Sequence, residues 1–324
     1  MLQAFLGIDV AKHKVDVVLL KEQNKLKHKA ITQTPEGFAE LQSWLLKQGV
    51  VQVHACLEAT GSYSEDLAIF LQEQGHRVSV VNPARISAFA KSQLARNKTD
   101  KIDAELIARF CQTQNPELFI APSPAIRELQ VLVRHLDNLT ESLQREKNRL
   151  EAAVKSKAVV QSIQTLIQVL KEEIRKTRKK IEDLFKDHPD IRNDRDLLAT
   201  IPGIGDLTAS KLLAEIPNLK RYESVKQLVA FAGLNPRQYM SGSAVYKKAH
   251  ISKTGSSRVR KMLFMPALVA KTKGEGFKAF EKQLLKNGKA KMVVVGAIMR
   301  KLLHIIYGVL KNNKPFDPLL AFAA

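Results

Sequence analysis

The sequence predicts an α/β domain, then a long helical arm and a mainly helical C-terminal domain. Three observations lead to this fold class. Strand-like and helix-like patterns alternate from residue 4 to about residue 120. No glycine or proline occurs between Pro124 and Pro189. Beyond that stretch, helical patterns resume and are separated by Gly-rich turns.

The N-terminal domain, residues 1–122, has three strand-like runs before most of its helices. The predicted strands are Ala4–Val10, Val15–Leu20, Lys29–Gln33, Val51–Leu57 and Arg77–Val81, and the predicted helices are Pro35–Gln48, Glu65–Glu73, a segment from Ala84, and Asp100–Gln112. Apolar runs bounded by turn residues are typical of strands. Early strands followed by alternating strands and helices favour a mixed sheet with helices on its faces.

The arm, residues 123–188, carries a coiled-coil seam with apolar residues at steps of three and four. The seam positions are Leu129, Leu132, Leu136, Leu139 and Leu143 and, after a basic patch near Lys155, Ile163, Leu166, Leu170, Ile174 and Ile181. We predict two long helices. They pack either as an antiparallel hairpin within one chain or as a dimerising coiled coil, and the pattern leaves both open.

The C-terminal domain, residues 189–324, is predicted to be mainly helical. Its longest apolar tract, Met292–Leu310, is interrupted by Arg300, Lys301 and His304. These charges would be costly inside a bilayer, so we interpret the tract as a core helix and expect no membrane partner.

The charge balance points to a polyanionic partner. The 324 residues include 52 Lys and Arg against 32 Asp and Glu, a formal net charge of +20. Between Arg237 and Lys301 there are 16 Lys and Arg and only two acids. Such a concentration favours nucleic acid over a solvated basic face or a membrane surface.

The two cysteines, Cys56 and Cys111, exclude a disulfide framework and a Cys-rich metal site. They fit a reducing, cytoplasmic compartment. The first residues, MLQAFLGIDV, lead directly into a strand-like run, so we expect no cleaved signal peptide.

Four acids form the first candidate site. Asp9 and Glu58 each end a predicted strand, and Asp100 and Asp103 lie in the helical segment NKTDKIDAELIARF. An i, i+3 pair projects from one helix face. Carboxylates at neighbouring strand ends, facing two more on a helix, can bind Mg²⁺. Taken singly, Asp9 suits a turn residue and Asp100 a helix N-cap.

Three stretches around these acids carry a family resemblance: GIDVAKHKVDV, LEATGSY and NPARISAFAKSQLARNKTDKIDA. They resemble the RuvC-like domain of the DEDD insertion-sequence transposases, recombinases guided by a non-coding bridge RNA. The resemblance implies a ribonuclease-H-like fold and a metal site of Asp9, Glu58, Asp100 and Asp103 for Mg²⁺ or Mn²⁺. It also implies donor and target DNA as substrates and a location at the bacterial nucleoid.

A glycine-rich turn forms the second candidate site, in RDLLATIPGIGDLTASKLLAEI. Gly203 and Gly205 separate two helix-like segments, and Asp206 or Thr208 is placed to start the second. The pattern is similar to a helix-hairpin-helix, in which backbone N–H groups at a helix start bind phosphate. A plain turn between packed helices explains the same residues.

A serine in FAGLNPRQYMSGSAVYKKAHISKTGSSRVRKMLFMPALVA forms the third candidate site. This stretch resembles the C-terminal domain of the same family, in which the serine of a Ser-Gly pair is the nucleophile. That residue is Ser241, with Ser243 as the alternative. Without the resemblance, a serine here suits a turn. A hydroxyl also needs activation to act as a nucleophile.

Basic side chains surround the serine and suit phosphate contacts. With the two turn glycines, the predicted nucleic-acid contacts are Gly203, Gly205, Arg237, Lys247, Lys248, Lys253, Arg258, Arg260 and Lys261. Tyr239 and Tyr246 suit base stacking or packing.

The resemblance therefore implies a DNA transposase that cuts and rejoins strands through a phosphoserine intermediate. The resemblance implies a homodimer or homotetramer with a site shared between protomers. Two alternatives remain: a RuvC-type junction endonuclease that uses water, and a nucleic-acid-binding protein without catalysis.

Overall fold

The chain is divided into two units, Met1–Ala121 and Pro122–Ala324, each with its own core. The computed structural model describes residues 4–21, 25–59, 62–93, 99–152, 156–216, 219–241 and 245–322. For residues 62, 221, 238–241 and 245–249 the backbone alone is described.

A five-stranded mixed sheet organises the first unit. Its strands are β1 (Ala4–Val10), β2 (Lys14–Leu20), β3 (Leu26–Thr32), β4 (Val53–Glu58) and β5 (Arg77–Val81). They lie in the order β3-β2-β1-β4-β5. The three sequential strands β1, β2 and β3 pair antiparallel, and β1, β4 and β5 pair parallel. This confirms the predicted mixed sheet and fits the ribonuclease-H-like fold that the resemblance implies.

Helices cover both faces of this sheet. They are α1 (Pro35–Lys47), α2 (Ser62–Glu73), α3 (Pro83–Ser92) and α4 (Asp100–Gln114). Leu6 and Ile8 share a core with Leu41 of α1 and Leu67 of α2. Cys56 shares the opposite core with residues of α3 and α4. Because side chains alternate along a strand, β1, β4 and β5 contribute to both cores.

Two long helices begin the second unit, α5 (Pro124–Glu151) and α6 (Lys157–Asp187), and they pack against each other within the chain. Leu136 of α5 and Ile163 of α6 are buried as expected. Leu166, however, is 46% exposed, and Ile167 is buried in its place. One residue turns an α-helix by about 100°, so the two cannot face the same partner. The seam position predicted at Leu166 is wrong.

In the described residues, the regular elements that follow α6 are helices and one antiparallel strand pair. Its elements are α7 (Pro189–Ala199), α8 (Asp206–Glu215), a 3₁₀ helix (Leu219–Arg221), α9 (Val225–Phe231), β6 (Pro236–Ser241), β7 (Val245–Ile251), α10 (Ser257–Lys273), α11 (Glu275–Lys286), α12 (Lys291–Asn312) and α13 (Pro318–Phe322). The antiparallel β6–β7 pair was not predicted. Alternating, β-prone residues on both sides of the sequence Ser-Gly-Ser were the available signal.

Helix α12 is the centre of the second core. Among the described residues it is the one helix long and apolar enough to span a bilayer. Ten of its residues are buried among the other helices of its unit, including Ile298, Leu302 and Ile306. The prediction of a core helix is therefore confirmed, because most of its apolar side chains are buried in this core.

Candidate functional site

Asp9 and Glu58 lie side by side on neighbouring strands. Strands β1 and β4 pair in parallel through Ile8 and Leu57, and the next residue on each strand is Asp9 and Glu58. Leu6 and Ile8 face α1 and α2, so alternation turns Asp9 toward α4. Leu57 and Cys56 likewise face opposite cores, which turns Glu58 toward α4 as well. Both carboxylates are half-buried.

The other two acids lie in the first turn of α4, the helix that packs over β1, β2 and β4. The Thr99 side chain accepts a hydrogen bond from the Ile102 amide and is the N-cap. Asp100 is therefore the first helical residue, which corrects the N-cap interpretation of Asp100. Asp100 and Asp103 are three residues apart, so they project from one face of the helix.

Gly7 lets α4 lie directly on β1. A Cβ atom at Gly7 would sit 2.0 Å from the Ala104 carbonyl oxygen and 2.2 Å from the Ala108 amide nitrogen. Both are backbone atoms that cannot rotate away. Gly7 was not predicted to have this role, although a glycine inside a strand signals a close backbone approach.

A fifth acid, Asp16, lies opposite Asp9 in the β1–β2 register. Its side chain is 4% exposed and contacts Lys14 Nζ at 2.7 Å and His28 Nε2 at 2.7 Å. Lys14 Nζ also lies 3.8 Å from Asp100 Oδ2. The hydrogen bond to Asp16 raises the pKa of Lys14, and the charges of Asp100 and Asp9 act in the same direction. Asp16 and Lys14 were not predicted as site residues, because their position beside the tetrad depends on strand register.

The donor set fits a hard divalent cation, since such ions prefer carboxylate oxygens. The four acids come from three elements that meet on one face of the sheet. In the described part of the chain, no three His, Cys, Asp or Glu side chains are grouped closely enough to hold a metal. The fold thus brings the four backbone positions to one face but does not gather the carboxylates around one point.

Behind Glu58 on the same strand, His54 is buried and polar. Its Nε2 lies 2.8 Å from Ser79 Oγ, and the Ser79 hydroxyl donates to the Pro116 carbonyl oxygen. The ring N–H therefore donates to Ser79. Burial, with a smaller effect of the Arg77 charge, lowers the pKa of His54 from 6.5 to about 4. We interpret this pair as structural, because it is closed off from solvent.

The lowered pKa of His54 predicts acid sensitivity. The unfolded chain takes up this proton near pH 6.5 and the folded chain only near pH 4, so stability falls as the pH drops through that window. The loss between pH 7.5 and pH 5 is about 2 kcal/mol. Urea unfolding at pH 7.5, 6 and 5 should show it, and His54→Gln should flatten the profile. His13→Gln, at an exposed histidine, is the control. An unchanged slope in His54→Gln would contradict this origin.

Ser241 is the last residue of β6 and pairs with Val245, the first residue of β7. The alternative nucleophile, Ser243, lies outside the described residues. The side chains of Tyr239, Tyr246, Lys247 and Lys248 are likewise outside what the structure describes. The Ser241 backbone is thus fixed by the β6–β7 pairing, while its side chain lies outside what the structure describes.

The glycine turn between α7 and α8 contains two different environments. Gly203 has φ +90°, and a Cβ atom there would meet the Pro266 carbonyl oxygen of α10 at 2.4 Å. Gly203 is therefore needed for packing. Gly205 is the N-cap of α8, and a Cβ atom there would meet nothing within 4 Å. A role of either glycine in binding phosphate stays a prediction.

Several of the predicted basic contacts already have partners in the protein. Arg258 lies 3.2 Å from Glu215, and Lys261 pairs with Glu141 of α5. Arg260 donates to the carbonyl oxygens of Ala232 and Gly255, which holds the turn before α10. Arg237 and Lys253 are exposed, and Lys253 has a left-handed backbone with φ +55°. Their contacts with nucleic acid remain predictions.

Comparison with known proteins gives consistent matches in both units. Residues 6–159 match a transposase family model of the DEDD type, and residues 195–282 match the model described as "Transposase IS116/IS110/IS902 family". The chain is 36% identical over 320 residues to the "Pilin gene-inverting protein" of Moraxella bovis, covering 98% of both chains. It is 27% identical over 292 residues to the "Transposase for insertion sequence element IS1328" of Yersinia enterocolitica, covering 82% of this chain and 83% of that protein.

Proposed function

Because this chain belongs to the IS110/IS116/IS902 family of insertion-sequence transposases, we propose that it cuts and rejoins DNA with a carboxylate tetrad and a serine nucleophile. The observation that carries the proposal is the meeting of β1, β4 and α4. Their register and packing bring Asp9, Glu58, Asp100 and Asp103 to one face of the sheet. The family supports DNA as substrate and strand recombination as the reaction.

The tetrad is proposed to hold Mg²⁺ or Mn²⁺. When bound, such an ion polarises a phosphodiester and stabilises the leaving oxygen. Asp9 and Glu58 supply ligands from the rigid sheet, and Asp100 and Asp103 supply them from the first turn of α4. The close contact of α4 with Gly7 fixes the backbones that carry these two pairs of acids, and side-chain rotation would gather the carboxylates when the ion binds.

The proposed nucleophile is the Ser241 hydroxyl. Its oxygen attacks the scissile phosphorus and loses its proton, and the bond from phosphorus to one bridging oxygen breaks. That oxygen leaves as a DNA hydroxyl after taking up a proton, and the protein keeps a phosphoserine ester. A hydroxyl of the partner strand then attacks the ester and frees Ser241. No external energy source is needed, because each step exchanges one phosphodiester for another.

The tetrad and Ser241 belong to different units of the chain. We therefore include in the proposal a composite site, assembled across protomers within a homodimer or homotetramer. The half-exposed apolar residues of α6, such as Leu166, leave surface for helix packing between protomers.

Choice of DNA sequence is proposed to come from a non-coding bridge RNA. In guided systems base pairing reads sequence, while the protein reads backbone and shape. The Moraxella relatives are named for inverting a pilin gene, and inversion requires the same cutting and rejoining of two sites. Sequencing the RNA that co-purifies with the protein tests this part. A discrete RNA that pairs with DNA beside the gene supports it, and random cellular RNA contradicts it.

Trapping of a covalent adduct tests the serine. Wild-type protein, incubated with labelled DNA spanning the end of its insertion element and with its co-purified RNA, should give a protein–DNA band on a denaturing gel. Ser241→Ala should abolish that band, and Ser243→Ala, two residues away, should keep it. The reason is that a methyl group has no oxygen with which to form the ester.

Two other results would change the assignment. If Ser243→Ala loses the adduct and Ser241→Ala keeps it, the nucleophile is Ser243. DNA cleavage by Ser241→Ala at the wild-type rate, with no adduct in either protein, would favour the junction endonuclease that uses water.

A further inference from the structure

Lys14 connects a buried acid to the tetrad. Its Nζ atom contacts Asp16 Oδ2 at 2.7 Å and lies 3.8 Å from Asp100 Oδ2, while its side chain stays 52% exposed. The anchor is firm because Asp16 is 4% exposed and also contacts His28. The Lys14 ammonium is therefore held by a buried carboxylate and is still accessible to a ligand from solvent.

The negative charge of the sheet face that carries the tetrad indicates which ligand Lys14 would bind. Asp9, Asp16, Glu58, Asp100 and Asp103 all lie at the meeting of β1, β2, β4 and α4. A DNA phosphate approaching five carboxylates is repelled, even after a divalent ion compensates two of the charges. An ammonium group on the same face lowers that repulsion, and it also offers hydrogen bonds to a non-bridging phosphate oxygen.

We propose that Lys14 binds the scissile phosphodiester beside the tetrad, an inference that rests on the proposed function. Asp16, which His28 contacts, is the residue that positions Lys14. The chemical partner is a nucleic-acid phosphate oxygen. Lys14 then stabilises the charge that builds up on phosphorus-bound oxygens as the nucleophile attacks. The alternative is that Lys14 only neutralises the carboxylates and has no contact with DNA.

The test uses the full chain with its co-purified RNA and a synthetic duplex spanning the element end, in single-turnover cleavage. Lys14→Gln should slow cleavage by about 10²-fold, the usual cost of losing one group that stabilises transition-state charge. Lys14→Arg should recover most of the rate. Lys47→Gln removes the same charge from an exposed position in the last turn of α1, on the opposite face of the sheet, and should cleave as wild type does.

Affinity for Mn²⁺, measured by calorimetry on the protein without DNA, provides the second readout. Lys14→Gln should bind Mn²⁺ as tightly as wild type or more tightly, because a competing cation is removed. Weaker Mn²⁺ binding would mean that Lys14 only shapes the carboxylates, and it would overturn the inference. Asp16→Asn in the wild-type background should slow cleavage, but adding Asp16→Asn to Lys14→Gln should slow it no further. If Asp16 were merely structural, the double variant would cleave more slowly than Lys14→Gln alone.

Glu58→Gln separates this inference from the function on which it rests. If Glu58→Gln is inactive while Lys14→Gln cleaves normally, the inference about Lys14 is wrong and the tetrad stands. If both variants cleave normally, or if wild type does not cut the duplex, the proposed function fails and the inference fails with it.

Discussion

Replacing Gly7 with alanine is expected to displace α4 from β1 and so to lower both stability and DNA cleavage. The new Cβ atom would lie 2.0 Å from the Ala104 carbonyl oxygen, so α4 must move away from β1. Overpacking against backbone costs about 3 kcal/mol or more. The shift also carries Asp100 and Asp103 away from Asp9, and a displacement of about 1 Å is enough to slow catalysis by about 10²-fold. Urea unfolding and single-turnover DNA cleavage would measure the two effects.

Gly308→Ala provides the matched control for Gly7→Ala. Gly308 lies inside α12, and a Cβ atom there would meet nothing within 4 Å. Alanine should therefore stabilise the protein by about 0.5–1 kcal/mol through the lower entropy of its unfolded state. A Gly7→Ala protein as stable and as active as Gly308→Ala would show that α4 does not lie against β1.

Glu58→Gln is expected to abolish strand cleavage while the protein stays folded. The amide keeps the size of the side chain but removes its charge, so a divalent cation is held less well and in a different place. A loss of about 4 kcal/mol of transition-state stabilisation corresponds to about 10³-fold in rate. Single-turnover cleavage in Mg²⁺ and in Mn²⁺ would measure it, with circular dichroism as the check on folding.

The control for Glu58→Gln is Glu73→Gln, the same change in the exposed last turn of α2. Helix α2 packs on the face of the sheet away from the tetrad, so this variant should cleave at the wild-type rate. A Glu58→Gln protein that retains more than a tenth of wild-type activity would argue against a metal role for Glu58.

The four acids stand out as candidate metal ligands in the sequence because each of them carries a local signal. Asp9 and Glu58 follow apolar runs, and Asp100 and Asp103 have the spacing of one helix face. Asp16 has no comparable signal in the one-dimensional pattern. It reads as an exposed position of a strand, and only the β1–β2 register shows that it is buried opposite Asp9.

The hairpin and the arm show the same limit in the second unit. The strands β6 and β7 are short and lie between strong helical signals, so local propensity for strand was outweighed in our prediction by the surrounding pattern. In the arm, Leu166 and Ile167 are equally apolar, and either satisfies a spacing of three or four. The partner surface decides between them, and that surface is not encoded within α6.

Patterns that repeat over a few residues were sufficient to predict the N-terminal α/β domain, the long helices and the basic C-terminal stretch, and to select the four acids as candidates. The reason is that propensity, amphipathicity and charge act locally. Strand order, the contact of α4 with Gly7, and the pairing of Lys14 with Asp16 depend on residues far apart in the chain. Those contacts form only when the whole domain packs, since burial and register are properties of two surfaces meeting and not of either segment alone.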